Sequence, residues 1–169
     1  MAENAAALRA GEVDAIQVLE PFAQDLIAEG SGHVWYAAAD RGPTSYTCFY
    51  ARRPVLESRR TEFTAMTRAM LRTQKWMHLS VAADIAGAIA SYFPSLATER
   101  LSAAIANYQR LRIWGRDPHL PRAGYDTLAA GLLSAGLIGT APQFADAVDN
   151  SLAAEAIAAD PPALADVAR

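Results

Sequence analysis

The run Ala6-Ala7-Leu8-Arg9-Ala10-Gly11-Glu12-Val13-Asp14-Ala15-Ile16-Gln17-Val18-Leu19-Glu20-Pro21-Phe22 carries the densest structural instruction in the chain. It reads as the last turns of a helix closed by Gly11, a short buried strand over 13–19, and a Glu-Pro corner opening a second helix. Glycine suits the residue after a helix because the left-handed conformation there carries no Cβ penalty. Proline suits the first helical turn, where its missing N–H is not needed. Glu20 then falls just past the carboxyl end of a strand and beside a helix start, where ligands bind in open α/β sheets.

Before this run, residues 4–10 read as a short helix with Asn4 as its cap. After it, a helix over 21–29 ends at Gly30-Ser31-Gly32. Residues 33–38 read as a second strand, from their aromatic and β-branched content. Asp40-Arg41-Gly42-Pro43 is turn chemistry, and 45–51 reads as a third strand. From Pro54 onward the pattern is helical. The longest segment covers 57–78, with Phe63, Met66, Met70 and Met77 on one face, which reads as core. Arg60, Arg68, Arg72 and Lys75 fall away from that face and read as solvated. Ser80 stands as cap to a helix over 81–92 and Thr98 to one over 99–111. After a loop over 114–121, helices are expected over 122–135, after Pro142, and over 152–157. A frayed tail follows from Asp160.

Composition sets wide bounds. The chain has 169 residues, 52% of them hydrophobic and 20% charged, which is the balance of a packed protein. A net charge of −3 and a pI near 5.6 give no bulk reason to expect a nucleic-acid or anionic-membrane partner. One cysteine, Cys48, excludes an internal disulfide and a multi-cysteine metal site. The histidines, His33, His78 and His119, have no ligand spacing, so no zinc site is expected. No apolar run approaches the ~20 residues of a membrane span. Met1-Ala2-Glu3-Asn4 has neither the basic n-region nor the apolar h-region of a secretory signal, so the chain is expected to stay where it is made.

Three strands in a row followed by helices do not complete a covered α/β sheet, and the open edges call for partner strands. The chain reads as the second half of something larger. Here the residues carry a resemblance. The run Leu8-Arg9-Ala10-Gly11-Glu12-Val13-Asp14-Ala15 closed by Glu20-Pro21-Phe22 resembles the L-x-x-G-x-V-D-A … E-P-F signature of bacterial substrate-binding proteins. These are the receptors of ABC importers for sulfonates, nitrate and thiamine-pyrimidine precursors, a family that also holds the thiamine-pyrimidine synthases. Tyr92-Phe93-Pro94, Tyr108, Trp114 with Asp117-Pro118, Gly136-Leu137-Ile138, and Phe144 to Asp149 follow in a similar order, so the resemblance spans about residues 4 to 158.

The resemblance implies an α/β class and a partial type II periplasmic-binding-protein fold. A short N-terminal βαβ portion would be followed by a mainly helical C-terminal part. Residues 1–44 would end one lobe and cross over, 45–158 would return into the other, and 159–169 would be a flexible tail. Well over a hundred residues of the family's N-terminal part have no counterpart here. Implied partners are a small-molecule ligand held in an inter-lobe cleft, ABC permease subunits, and a missing N-terminal lobe or a second copy. The implied location is periplasmic, although no export signal is read.

The candidate ligand-binding residues are Gln17, Glu20, Trp35, Tyr46 and Thr47. Glu20 could accept hydrogen bonds from an amine or amidine, or only complement a helix dipole. Gln17 could face a cleft or be a satisfied side chain within a sheet. Trp35 could line the cleft or pack in a core. Tyr46 and Thr47 could offer an aromatic wall and a hydroxyl, with core packing the alternative for Tyr46. No catalytic residue, metal or cofactor is assigned. The synthases of this family carry a cysteine-rich run on the strand resembling 46–50, where only Cys48 stands here, and soft thiolates are what such a metal needs. Lys75 is the sole lysine and offers no evident cofactor site. The expected function is therefore capture of a small organic solute without chemistry. The alternatives are a self-associating helical fragment that binds nothing and, further off, a synthase-like enzyme.

Overall fold

The computed structural model describes residues 1–164. Among them the helices are α1 (Ala2–Ala10), α2 (Phe22–Ala28), α3 (Arg53–Ser58), α4 (Arg60–Leu79), α5 (Ala82–Ile89), α6 (Thr98–Leu111), α7 (Arg122–Ser134), α8 (Phe144–Ala147) and α9 (Ser151–Ala159). Short 3-10 turns cover Ala38–Arg41 and Ala90–Tyr92. The chain divides into two units. The first joins Met1–Asp40 with Ser80–Ile113, and the second joins Arg41–Leu79 with the described residues from Trp114 onward.

In the first unit α6 is the spine. Leu101, Ala104 and Ile105 repeat at helical spacing and are all buried. Helix α5 packs on this stripe with Ile85 and Ala86, α2 packs on it with Leu26, and α1 lies on α2 with Ala5 fully buried. Gly11 ends α1 as the sequence requires. Its φ of 70° is left-handed, its N–H donates to the Leu8 carbonyl, and the Glu12 N–H reaches the Ala7 carbonyl. Arg9 in that last turn pairs with Glu29 at the end of α2, Nε to Oε2 at 2.6 Å.

In the second unit α9 packs along α4, and α3 against its start. Leu71 and Trp76 of α4 are buried, as are Leu152, Ala153 and Ala156 of α9. Thr67 sits buried in the same face with its hydroxyl satisfied by the Phe63 carbonyl at 2.8 Å. Arg60 pairs with Glu155 at one end of the contact. At the other, Lys75 donates to the Asp160 carboxylate at 2.6 Å and the Pro161 carbonyl at 2.7 Å. Residues 160–164 continue along α4, where the Leu164 N–H donates to the Arg72 carbonyl. The remainder of the tail expected over 159–169 lies outside the described residues. The methionine face is turned away from this contact: Phe63, Met66, Met70 and Met77 are only half-buried. The expected long helix over 57–78 is broken at Arg59, whose φ of −118° and ψ of 28° separate α3 from α4.

The α/β expectation is corrected here. No strand occurs among the described residues, so the expected N-terminal βαβ portion is absent and the described chain is α-rich. The segments 13–19, 33–38 and 45–51 run as irregular chain with bends at Asp14, Trp35 and Thr47. The physical reason is pairing. A strand exists through the ladder it makes with a neighbour, and β-rich composition only reports fitness for a half-buried pleated surface. These segments have the composition and no neighbouring strand. Their large side chains are accordingly exposed, Trp35 at 87% and Tyr50 at 87%.

Candidate functional site

The Glu-Pro corner after the first extended segment is a built polar site within the first unit. Glu20 sits two residues before α2, and its position lets one carboxylate meet two elements. Its Oε2 accepts the Gln24 main-chain N–H at 3.2 Å, one of the N–H groups that the first turn of α2 leaves without an intrahelical partner. Its Oε1 accepts the Gln24 side-chain amide at 3.2 Å and the Asn107 amide of α6 at 2.6 Å. The Glu20 N–H donates to the Tyr108 hydroxyl at 3.2 Å. Asn107 is oriented in turn by Arg110, which donates to its Oδ1 at 2.7 Å. Arg100, two turns earlier on α6, pairs with Asp25 at 3.1 Å and donates to the Gln24 carbonyl at 2.9 Å. Burial pushes the Tyr108 phenol above its ordinary pKa. The Glu20 N–H bond opposes the shift, and the Glu20 charge adds to it.

These contacts give Glu20 a definite local role: it satisfies and complements the α2 start and ties the corner to α6. Gln24 lay within reach of sequence reading, since residues four apart meet on a helix surface. Asn107 and Tyr108 lie 87 and 88 residues away, and no local spacing could pair them with Glu20.

The other candidates are placed as follows. Gln17 is exposed in the segment leading to the corner, and Trp35 is exposed in the same unit. No hydrogen bond joins Gln17, Glu20 and Trp35 to one another. Tyr46 (80% exposed) and Thr47 lie on the extended segment of the second unit. Two open grooves of about 340 and 310 Å³ run along α4 in that unit, and neither is lined by a candidate residue.

Among the described residues, no group of three His, Cys, Asp or Glu side chains could hold a metal ion. No described helix is long and apolar enough to cross a membrane. Lys75 is engaged with Asp160 and Pro161.

Comparison with known families assigns the first half of the chain. The NMT1-like family matches residues 1–91, which include the corner and both extended segments of the candidate set. The chain belongs to the NMT1-like family. A curated relative of this NMT1-like chain is a Bacillus subtilis (strain 168) protein named "Putative binding protein YtlA", 26% identical over 128 residues. The alignment takes in 75% of the present chain and 38% of that protein, so the NMT1-like chain spans well under half the length of the relative it matches. No solved structure matches it.

Proposed function

We propose that this NMT1-like chain is part of a solute-binding protein that captures a small organic molecule without transforming it. The observation that carries this reading is the family match over residues 1–91, taken with a relative named as a binding protein. The finer reading is the receptor of an ABC importer, working outside the cytoplasm and handing its solute to permease subunits. The ligand would be a pyrimidine precursor, a sulfonate or a nitrate-like anion.

The residues proposed to meet the ligand are Gln17, Glu20, Trp35, Tyr46 and Thr47. Four of them are exposed, Gln17 and Trp35 in the first unit and Tyr46 and Thr47 in the second, and in each unit an aromatic face accompanies a polar group, as small-molecule sites use. Glu20 has carboxylate lone pairs beyond those that Gln24 and Asn107 take, and a carboxylate there favours an amine-bearing heterocycle over an anion. The absence of arginine from residues 13–22 supports the same preference.

Thermal melting of the full chain against aminopyrimidines, aliphatic sulfonates and nitrate tests the proposal. A ligand that binds only the folded state raises the melting temperature by mass action, by about 2.7 kcal/mol of stability at a hundred times its Kd. The expected result is a saturable shift with one class, reduced in Trp35→Ala and Tyr46→Ala. A cooperative melt that no class shifts overturns the proposal.

A further inference from the structure

Asp160 turns the chain off α9 and lays it on α4. It closes α9 in the left-handed conformation, φ 40° and ψ 53°, with its N–H on the Ile157 carbonyl at 3.1 Å. Pro161 and Pro162 follow, as prolines do after a helix end. Neither carries a main-chain N–H, so the turn depends on donors from elsewhere. Helix α4 supplies them. Lys75 Nζ donates to the Asp160 carboxylate at 2.6 Å and to the Pro161 carbonyl at 2.7 Å, and Arg72 Nε donates to the Pro162 carbonyl at 3.2 Å. The Lys75 bond and charge hold the Asp160 carboxyl below the ordinary aspartate range.

A main-chain bond fixes where the segment lands. The Leu164 N–H donates to the Arg72 carbonyl at 3.2 Å. In the ladder of an α-helix that carbonyl faces the N–H of the residue four positions on, here Trp76. Leu164 therefore meets α4 beside Trp76. The Trp76 side chain is buried, at 8% exposure, and its indole N–H has no hydrogen-bond partner among the described residues. Arg72, Lys75 and Trp76 stand at i, i+3 and i+4, neighbours on one helix surface.

We propose that residues 160–164 form a strap that covers Trp76 and opens as a unit while α4 and α9 stay packed, with the Lys75 ammonium as its lock. The two helices have buried contacts of their own. Leu71 of α4 and Leu152, Ala153 and Ala156 of α9 are buried, and Arg60 pairs with Glu155 at the far end. The strap has no such core. Its bonds run mainly to two cationic side chains at the surface, where the Lys75 and Asp160 side chains are 29% and 86% exposed. Pairs so exposed contribute little, and segments held this way open locally at far less cost than global unfolding. The lock is Lys75 rather than Arg72, because its ammonium makes two of the side-chain bonds, both short. Lys75 is also the chain's sole lysine, so no second amine can take its place. The device is independent of solute capture, and its test uses no ligand.

Hydrogen exchange of the full chain, read by NMR at the Leu164 amide, the Trp76 indole N–H and the Leu71 amide, tests the strap. Lys75→Met removes the charge and both of its bonds. It should speed exchange at Leu164 and at the Trp76 indole about tenfold, the loss expected for hydrogen bonds to a charged group. The Leu71 amide, inside α4, should keep its parent rate. Lys75→Arg retains a cation of similar reach and should exchange at both sites like the parent. Unchanged exchange at Leu164 in Lys75→Met overturns the lock, and so does a Lys75→Arg variant as fast as Lys75→Met. Acceleration at Leu164 without Trp76 overturns the covering role. Equal acceleration at Leu71 means that the segment opens only with the helices, which overturns the strap.

Discussion

Glu20, a candidate ligand contact in the sequence, is also a bracket in the structure. Its carboxylate accepts from Gln24 twice and from Asn107 once. Replacing it by alanine leaves those part-buried donors unsatisfied, and an unmade bond of this kind costs about 1–3 kcal/mol. Chemical denaturation of Glu20→Ala should show that loss, with Glu20→Gln recovering part of it through its remaining acceptor oxygen. Arg112 makes the opposite case. It ends α6 at φ 53°, with its N–H on the Gln109 carbonyl and the Ile113 N–H on the Tyr108 carbonyl, a closure that glycine provides at Gly11. A side chain in that conformation costs about 1–2 kcal/mol, so Arg112→Gly should stabilise the chain by roughly 1 kcal/mol in the same assay. Asp149 sets an acid limit. The Ser151 hydroxyl and N–H hold its carboxyl below the ordinary aspartate range, and Arg60 and Arg53 reinforce this against a burial penalty. Its contribution is therefore complete above pH ~3.9, the unfolded value, and disappears as pH falls through the lower folded value. For so exposed a group it stays below about 1 kcal/mol. Asp149→Asn should lower stability at neutral pH and lose its difference from the parent chain in strong acid.

At the scale of elements, the helices were readable and the strands were not, for one physical reason. A helix satisfies its own main chain, so terminal glycines and periodicity suffice: Gly11, Gly30 and Gly136 all close helices in the left-handed conformation, and the α6 stripe of Leu101, Ala104 and Ile105 is buried. The expected N-caps were misplaced: Asn4 and Thr98 lie within α1 and α6, Ser80 precedes the Val81 cap of α5, and none of these helix starts carries a side-chain cap bond. A strand needs a neighbour, and composition cannot say whether one is present, so residues 13–19 and 45–51 looked like strands and run as unpaired chain. The α4 face was misread in a milder way. Its methionines share a helical face and are only half-buried, whereas Leu71 and Trp76 of α4 are buried and α9 packs along the same helix. Calorimetric or denaturant melts should rank these faces. Ile105→Ala and Leu71→Ala should each cost about 2–5 kcal/mol, the range for emptying a buried aliphatic site. Met70→Ala, at a half-buried position, should cost well under that.

For the whole molecule, Trp35, Tyr46, Phe49 and Tyr50 express one condition: aromatic side chains exposed on extended chain that no ladder covers among the described residues. The NMT1-like match over residues 1–91 takes in all of these extended segments. Their unpaired state is the claim on which most else depends. Amide hydrogen exchange on the full chain, read by mass spectrometry at low concentration, measures it. Exchange protection reports the opening free energy of each hydrogen-bonded region. The amides of α6 around Ile105 should be the slow class, and those of residues 15–19 should exchange near the rate of free peptide, Glu20 alone being slowed by its bond to Tyr108. Protection of 15–19 equal to that of α6 would mean that a ladder is present, and would contradict the account.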